Sequence, residues 1–255
     1  MIQVLRRWWA TRAAVAAIAD PDWQALLASS PLFATLDAAA LARLRALAAR
    51  FLARKTFSAA AGHEFEPGQC LAIAALASLP VLGLDARWLD GWREVIVYPG
   101  EFRVQRQYHD EDSGVVTEGA DELIGEAWER GPLILSWADV ATDLAQPFDG
   151  FNVVVHEIAH KLDMLDGPAD GVPRLPAHIA RRDWISTMQA AYDALCRALD
   201  HGRDTLIDPY AADSADEFFA VTSELHFSDP ALLRRAAPAV ASLLAHYYGA
   251  PAAHA

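Results

Sequence analysis

The sequence predicts an α+β protein that is mainly helical and carries a small mixed β-sheet. In the first third of the chain, apolar residues recur at helical spacing, most clearly in the segment that Asp37 opens. Residues 94–104 read EVIVYPGEFRV, a β-rich stretch broken by a Pro-Gly turn. After residue 150 the helical spacing returns. Because helices and strands fall in separate blocks and do not alternate, the order indicates α+β and not α/β.

The helices on both sides of the β-rich block are placed by their apolar periodicity. An alanine-rich run at residues 13–19 is expected to be part of an amphipathic helix, and residues 71–84 are expected to form a buried helix that ends near Pro80 or Gly83. After residue 150 we expect helices across residues 156–160, 181–199, 214–227 and 232–247.

The strands are short, and their pairing is left open by the sequence. Residues 94–104 form either two strands or one bent edge strand, and residues 114–117 and 132–137 form two more. Strand 133–137 is either an edge that holds an extended peptide by β-augmentation or a central strand paired on both sides. We expect one compact domain over residues 1–255, with a helical part at 1–85 and the sheet and metal site at 86–255.

Composition indicates a folded globular protein and disfavours two classes of partner. Of 255 residues, 53% are hydrophobic and 22% are charged, and the net charge is −13. Such an acidic surface repels phosphate backbones, and the arginine pairs are short and scattered, so no direct nucleic-acid binding is expected. The apolar run at residues 71–84 is too short to span a bilayer, so no membrane partner is expected.

Cysteine content and the N-terminus together predict a cytoplasmic protein. Cys70 and Cys196 are far apart in apolar helical stretches and do not make a disulfide framework, which favours a reducing compartment. Arginines precede the run at residues 13–19, as in a secretory signal, but that run is short and mostly alanine. An ordinary helix is the simpler interpretation.

One motif predicts metal chemistry. His156 and His160 lie four residues apart in an apolar segment, so on a helix their imidazoles share one face and converge on one ion. Glu157 is rotated from His156 by about 100°, beside the open coordination position, where it can act as a general base. Zinc suits this set, because a catalytic zinc site takes three protein ligands and leaves one position for water.

The third ligand is not settled by spacing. The downstream histidine candidates are His178, His201, His226 and His246. The carboxylate candidates Glu217 and Glu224 are more typical of catalytic zinc, and spacing does not separate them. Ser214 and Glu217 also match a capping box, in which Glu217 would only close the start of its helix.

Four stretches resemble a known family. VIVYPGEF, GEAWERGPLILSW, NVVVHEIAHKLDMLDG and ADEFFAVTSE resemble, in the same order over residues 31–230, the Mlc titration factor A family of bacterial zinc peptidases. That family is similar to the catalytic domain of anthrax lethal factor. The resemblance implies a zincin-like, gluzincin-type fold, one Zn²⁺ per chain and aminopeptidase-like activity on peptides. It also implies binding of a glucose-responsive transcriptional repressor.

The same resemblance assigns roles by position. His156, His160 and Glu217 would be the zinc ligands and Glu157 the general base. Tyr210, seven residues before Glu217, would assist catalysis by donating to the developing oxyanion. The alternative for Tyr210 is an aromatic anchor in a turn.

Acidic residues near the motif are candidates for supporting roles. Asp163, three residues after His160, is predicted to accept the second N–H of a ligating histidine, the alternative being an exposed acid at the helix end. Glu224, two turns after Glu217, is a second such candidate. Asp139, Asp143 and Asp149 are most simply a solvated acidic loop, although such a loop can also select a free amino terminus.

Two functions of different classes therefore compete. The first is a zinc-dependent, aminopeptidase-like metallopeptidase that also binds a repressor. The second is a non-catalytic titration protein for a transcription regulator, with a structural zinc. Glu157 favours the first, because a structural site has closed coordination and does not use a base.

Overall fold

The computed structural model describes residues 18–100 and 131–250, and describes 102–109, 116–123 and 125–127 as backbone strands. The N-terminal helix expected at residues 13–19 lies almost wholly outside these residues. Within the described part, no helix combines the length and apolar character needed to cross a membrane.

A four-stranded mixed sheet forms the centre of the fold. Its strands β1 (Thr56–Ala59), β2 (Glu94–Tyr98) and β6 (Leu133–Ser136) are parallel, and β5 (Gly125–Ala127) is antiparallel to β6. The strand order across the sheet is β1-β2-β6-β5. A separate antiparallel pair joins β3 (Phe102–His109) to β4 (Val116–Leu123).

Helices surround this sheet. In the described part of the chain they are α1 (Asp20–Ser29), α2 (Ala38–Arg54), α3 (Gln69–Leu76), α4 (Trp137–Ala145), α5 (Val153–Asp163), α6 (Arg181–Asp200), α7 (Ala215–Ser228), α8 (Pro230–Ala236) and α9 (Pro238–Tyr248). Short 3₁₀ helices cover Pro31–Thr35, Leu79–Val81, Ala86–Leu89 and Pro209–Ala212.

The core lies between the sheet and α5. All four residues of β6 are buried, and Val154, Ile158 and Leu162 of α5 are fully buried. Helix α5, which carries the histidine motif, packs against strands β5 and β6 and against helix α7. It therefore lies between the sheet and α7. The predicted fold class, α+β with a small mixed sheet beside the motif helix, is confirmed.

Several local predictions are corrected. The single helix expected at residues 232–247 is two helices, because Pro238 lacks the N–H that a continuous helix needs and instead begins α9. The helix expected at residues 71–84 ends at Leu76. Strand β1 was not predicted and lies in the part expected to be helical.

The suggestion that residues 133–137 form a substrate-binding edge is wrong. Strand β6 pairs with β2 on one side and β5 on the other, so its hydrogen-bonding edges are occupied. Residues 94–104 belong to two strands in different sheets. The strand at the end of the sheet beside α5 is β5.

Candidate metal centre

Helix α5 brings two imidazoles to one face. Asn152 caps its start, with Oδ1 accepting the Val155 N–H at 3.0 Å. Apolar residues hold the opposite face in the core, so the histidines four residues apart project together. The ring centroids of His156 and His160 are 4.9 Å apart, and His160 is only 7% exposed.

Helix α7 contributes a carboxylate to the same point. Ser214 caps α7 and accepts the Glu217 N–H at 3.3 Å, which is one half of the capping box. The Glu217 side chain approaches the two histidines: its Oε2 lies 3.1 Å from His156 Nε2 and 3.4 Å from His160 Nε2. Of the two carboxylates that spacing left open, Glu217 is the one grouped with both rings.

The three potential ligand atoms form a nearly equilateral triangle. The third side, between His156 Nε2 and His160 Nε2, is 3.2 Å. An ion with tetrahedral ligands at about 2.0–2.1 Å separates those ligands by about 3.3–3.4 Å, so the triangle has the size of one face of such a coordination shell. Two ring nitrogens and one carboxylate also match the donor set of a catalytic zinc site.

Unpaired polar atoms support the same conclusion. Glu217 Oε2 and Glu157 Oε2 are both buried and make no hydrogen bond. Buried polar atoms are normally paired, because an unpaired one costs about 1–3 kcal/mol. A divalent cation would satisfy Glu217 Oε2 directly, so the residues present fit the ion that the donor set implies.

Glu224 fixes the orientation of the first histidine. Its Oε1 accepts from His156 Nδ1 at 2.7 Å, and its Oε2 accepts the Asn152 N–H at 2.7 Å. With its proton on Nδ1, His156 presents the lone pair of Nε2 to the other ligand atoms. The fold thus places Glu224 against Nδ1 of His156, and its supporting role toward a metal ligand stays a prediction.

Electrostatics around the ligands are dominated by close opposite charges. Burial lowers the pKa of His156, but Glu224 and Glu217 outweigh burial and raise this pKa well above its usual value. Burial raises the pKa of Glu217, but the His156 and His160 rings beside it bring this pKa well below its usual range. A cation at the triangle would replace the proton between these groups.

The surroundings of Glu157 shift its pKa toward neutrality. Glu157 is 2% exposed, and burial raises its pKa to about 7, although His156 and His160 partly offset that effect. A carboxyl group with a pKa near neutrality can both accept and return a proton at the pH of a cell.

Tyr210 lies at the open side of the group. It belongs to the 3₁₀ helix Pro209–Ala212, is 43% exposed, and stacks on His156 with a centroid distance of 6.2 Å and an interplanar angle of 28°. Burial of the phenol and the nearby Glu217 carboxylate raise the pKa of Tyr210, so its hydroxyl stays protonated. The fold places Tyr210 beside His156, and the catalytic role that the family resemblance implies for it stays a prediction.

Asp163 is buried and is bonded to a loop. Its Oδ2 accepts the Gly171 N–H at 2.7 Å and the Asp170 N–H at 3.1 Å. Its Oδ1 and His160 Nδ1 are both buried without hydrogen-bond partners. Asp163 is therefore not the exposed helix-end acid of the alternative interpretation, and the role predicted for it toward a histidine stays a prediction.

Asp143 was misread as part of a solvated acidic loop. It is 5% exposed, and its Oδ2 accepts the Val153 N–H at the first turn of α5, at 2.8 Å. Burial raises its pKa to about 7, and the neighbouring Glu224 charge adds to this. The suggestion that Asp143 selects a substrate amino terminus is therefore wrong. A residue ten positions before a helix gives no spacing signal for such a contact.

Other histidine candidates are engaged away from this group. His178 Nε2 pairs with the His246 carbonyl, and His201 Nδ1 with the Arg197 carbonyl. His226 is buried against Phe227, and burial lowers its pKa to about 4. In the described part of the chain, His156, His160 and Glu217 are the group that can hold an ion.

The fold and this group of potential ligands are those of a metallopeptidase-like protein. The chain belongs to the family described as "Glucose-regulated metallo-peptidase M90", which it matches over residues 5–249. It is 37% identical to Mlc titration factor A of Escherichia fergusonii and 39% identical to that of Klebsiella pneumoniae, over 235 residues in each case. Each match covers 90% of this chain and 86% of the relative, and a relative from Salmonella gallinarum is 38% identical over 234 residues.

Proposed function

We propose that the chain is a zinc-dependent, aminopeptidase-like metallopeptidase, with one Zn²⁺ held by His156, His160 and Glu217. The triangle of their ligand atoms, with sides of 3.1, 3.2 and 3.4 Å, is the observation that carries the proposal. Membership of a metallo-peptidase family supports it.

The chemistry of each residue follows from its environment. Zinc supplies Lewis acidity that makes water a competent nucleophile at neutral pH. Glu157, buried next to His156 in the sequence and on the same helix, takes the proton of the attacking water and returns it to the leaving amine. The protonated Tyr210 hydroxyl donates to the carbonyl oxygen as negative charge develops there.

The peptide substrate runs along β5. Among the strands that the structure describes, β5 ends its sheet, pairs with β6 on one side and packs beside α5. An extended peptide can add to such an edge through backbone hydrogen bonds, which orient its carbonyl groups without regard to side-chain identity.

Comparison of wild type with Glu157→Gln tests the catalytic proposal. Glutamine keeps the size of the side chain but cannot take up a proton, so we expect zinc content to be retained and turnover to fall by about 10²–10⁴-fold. Zinc is measured by mass spectrometry, and turnover with small peptides having free and blocked amino termini. Glu94→Gln, at an exposed glutamate on β2, is the matched control. Equal turnover by wild type and Glu157→Gln contradicts the role of Glu157.

We also propose that the chain binds a repressor, because the relatives are named Mlc titration factor A. Binding of the purified Mlc repressor is measured by calorimetry with wild type and Glu157→Gln. Equal affinities together with lost turnover identify two separable activities. Repressor binding by a wild-type chain that turns over no peptide supports the non-catalytic alternative.

A further inference from the structure

The loop after α5 contains a glycine, Gly171, that contacts the helix of the third ligand. Its φ of +76° lies in the left-handed region that side chains with a Cβ rarely adopt. We propose that Gly171 is a positioning residue that sets the separation between the histidine pair on α5 and Glu217 on α7. This inference rests on the metal site proposed above.

One side of Gly171 is fixed to the histidine helix. Its N–H donates to Asp163 Oδ2 at 2.7 Å. Asp163 is the last residue of α5, three positions after His160, and it is 1% exposed. A buried hydrogen bond of this length holds the loop tightly to the end of α5.

A second side is fixed to the core. The Gly171 carbonyl accepts from Trp184 Nε1 at 2.8 Å, and Trp184 is fully buried in α6. The Trp184 ring also packs edge-on against Phe219 of α7, with centroids 5.6 Å apart. Trp184 therefore contacts both Gly171 and α7, the helix that carries Glu217.

The third side touches the first turn of α7. A Cβ at position 171 would lie 2.5 Å from the Ala215 carbonyl oxygen and 2.9 Å from its carbon. These are backbone atoms of the first residue of α7, so the contact cannot be relieved by rotation of a side chain. Glu217 is two residues further on.

A continuous set of contacts therefore joins the ligands through Gly171. It runs from His160 along α5 to Asp163, across the hydrogen bond to Gly171, and through backbone contact to Ala215 and Glu217. Ligand distances at a metal site are typically defined to about ±0.2 Å. A displacement of α7 by a few tenths of an ångström is then enough to distort the triangle of ligand atoms.

Replacing each of two glycines with alanine distinguishes a displacement of α7 from an effect of backbone strain. Gly202 also has a left-handed φ, +63°, but a Cβ there would meet no atom within 4 Å. Gly171→Ala and Gly202→Ala therefore share a left-handed strain of about 1–2 kcal/mol, and only Gly171→Ala pushes against α7. Zinc affinity is measured by competition with a chromophoric chelator, and ligand geometry by the visible absorption spectrum of the Co²⁺-loaded chain.

We expect Gly171→Ala to lose about tenfold or more in zinc affinity and to alter the Co²⁺ spectrum. Gly202→Ala should match wild type in both, while its thermal stability falls. If Gly171→Ala matches wild type in affinity and spectrum, this inference is overturned and the metal site stands. A wild-type chain that binds neither ion overturns both.

A second variant covers failure of Gly171→Ala to fold. Trp184→Phe keeps an aromatic ring in the core and removes the N–H that holds the Gly171 carbonyl. We expect a smaller shift of the Co²⁺ spectrum and a loss of zinc affinity in the same direction. A Trp184→Phe chain that folds with the wild-type spectrum and affinity overturns the inference.

Discussion

The two ends of helix α5 hold their histidines in different ways. At the N-terminal end, the N–H groups of Asn152, Val153 and Val155 all donate to side-chain oxygens, and His156 Nδ1 donates to Glu224. At the C-terminal end, His160 Nδ1 and one oxygen of Asp163 are buried without hydrogen-bond partners.

This difference indicates which of the two histidines is oriented by the protein alone. The His156 ring is fixed by a hydrogen-bond network that is complete without an ion. The fixed network has an electrostatic cost, because Asp143 and Glu224 are buried acids in the same neighbourhood. The positive end of the α5 dipole offsets part of that cost, since both carboxylates accept from its first N–H groups. The acid that faces His160 Nδ1 is Asp216, whose Oδ2 lies 3.9 Å away, beyond hydrogen-bond distance, so the protein holds the His160 ring less tightly.

Glu224→Gln is the strongest test of this contrast. The amide oxygen can accept only one of the two hydrogen bonds made by Glu224, so either His156 or the start of α5 loses its partner. We expect zinc affinity to fall by about 10–100-fold, the range found when partners of ligating histidines are removed. Affinity is measured by chelator competition, with the exposed Glu94→Gln as the control. An unchanged affinity would show that His156 does not need Glu224.

Asp143→Asn tests the cost of the N-terminal network through pH. The amide oxygen can still accept the Val153 N–H, so zinc affinity should change by no more than about threefold. The wild-type carboxyl has a pKa of about 7 when folded and near 4 when unfolded, so between these values the folded state binds more protons and stability falls as pH rises.

The asparagine side chain of this variant does not titrate. The unfolding free energy of Asp143→Asn relative to wild type should therefore rise between pH 4 and pH 7, by up to about 4 kcal/mol, and stay constant above that. Urea unfolding of the metal-free proteins across this pH range measures the difference. A difference that does not vary with pH would contradict the elevated pKa of Asp143.

The same contrast shows how far the sequence predicts the site. The pair His156 and His160 follows from four-residue helical spacing, which is a local property. Residue spacing alone does not separate Glu217 from Glu224, because both lie on one helix. The family resemblance favours Glu217, and the packing of α7 on α5 gives the physical reason: Glu217 meets both rings, whereas Glu224 lies behind His156. Asp143 was misread because its contact with Val153 is non-local and carries no periodic signal.

The fold shows the same division: elements with a local signal were predicted, and an element without one was missed. The helix that Asp37 caps and the strands around residues 95 and 134 follow from periodicity. Strand β1 (TFSA) was missed, because it has no apolar run like that of β6 (LILS) and its pairing with β2 is a non-local contact. Pro238 marks in the sequence the boundary between α8 and α9, since proline favours the first turn of a helix and breaks its interior.

Asp163→Asn completes the comparison at the C-terminal end of α5 and has the smallest expected effect. The amide oxygen of this variant can still accept from Gly171 and Asp170, and the atom replaced by an NH₂ group is the unpartnered Oδ1. We expect zinc affinity within about twofold of wild type, well below the loss for Glu224→Gln. Chelator competition on both variants, prepared in parallel, gives the ratio. A loss as large as that of Glu224→Gln would mean that Asp163 also supports a histidine of the site once zinc is bound. The two ends of α5 would then be equivalent, and the asymmetry argued above would belong only to the metal-free protein.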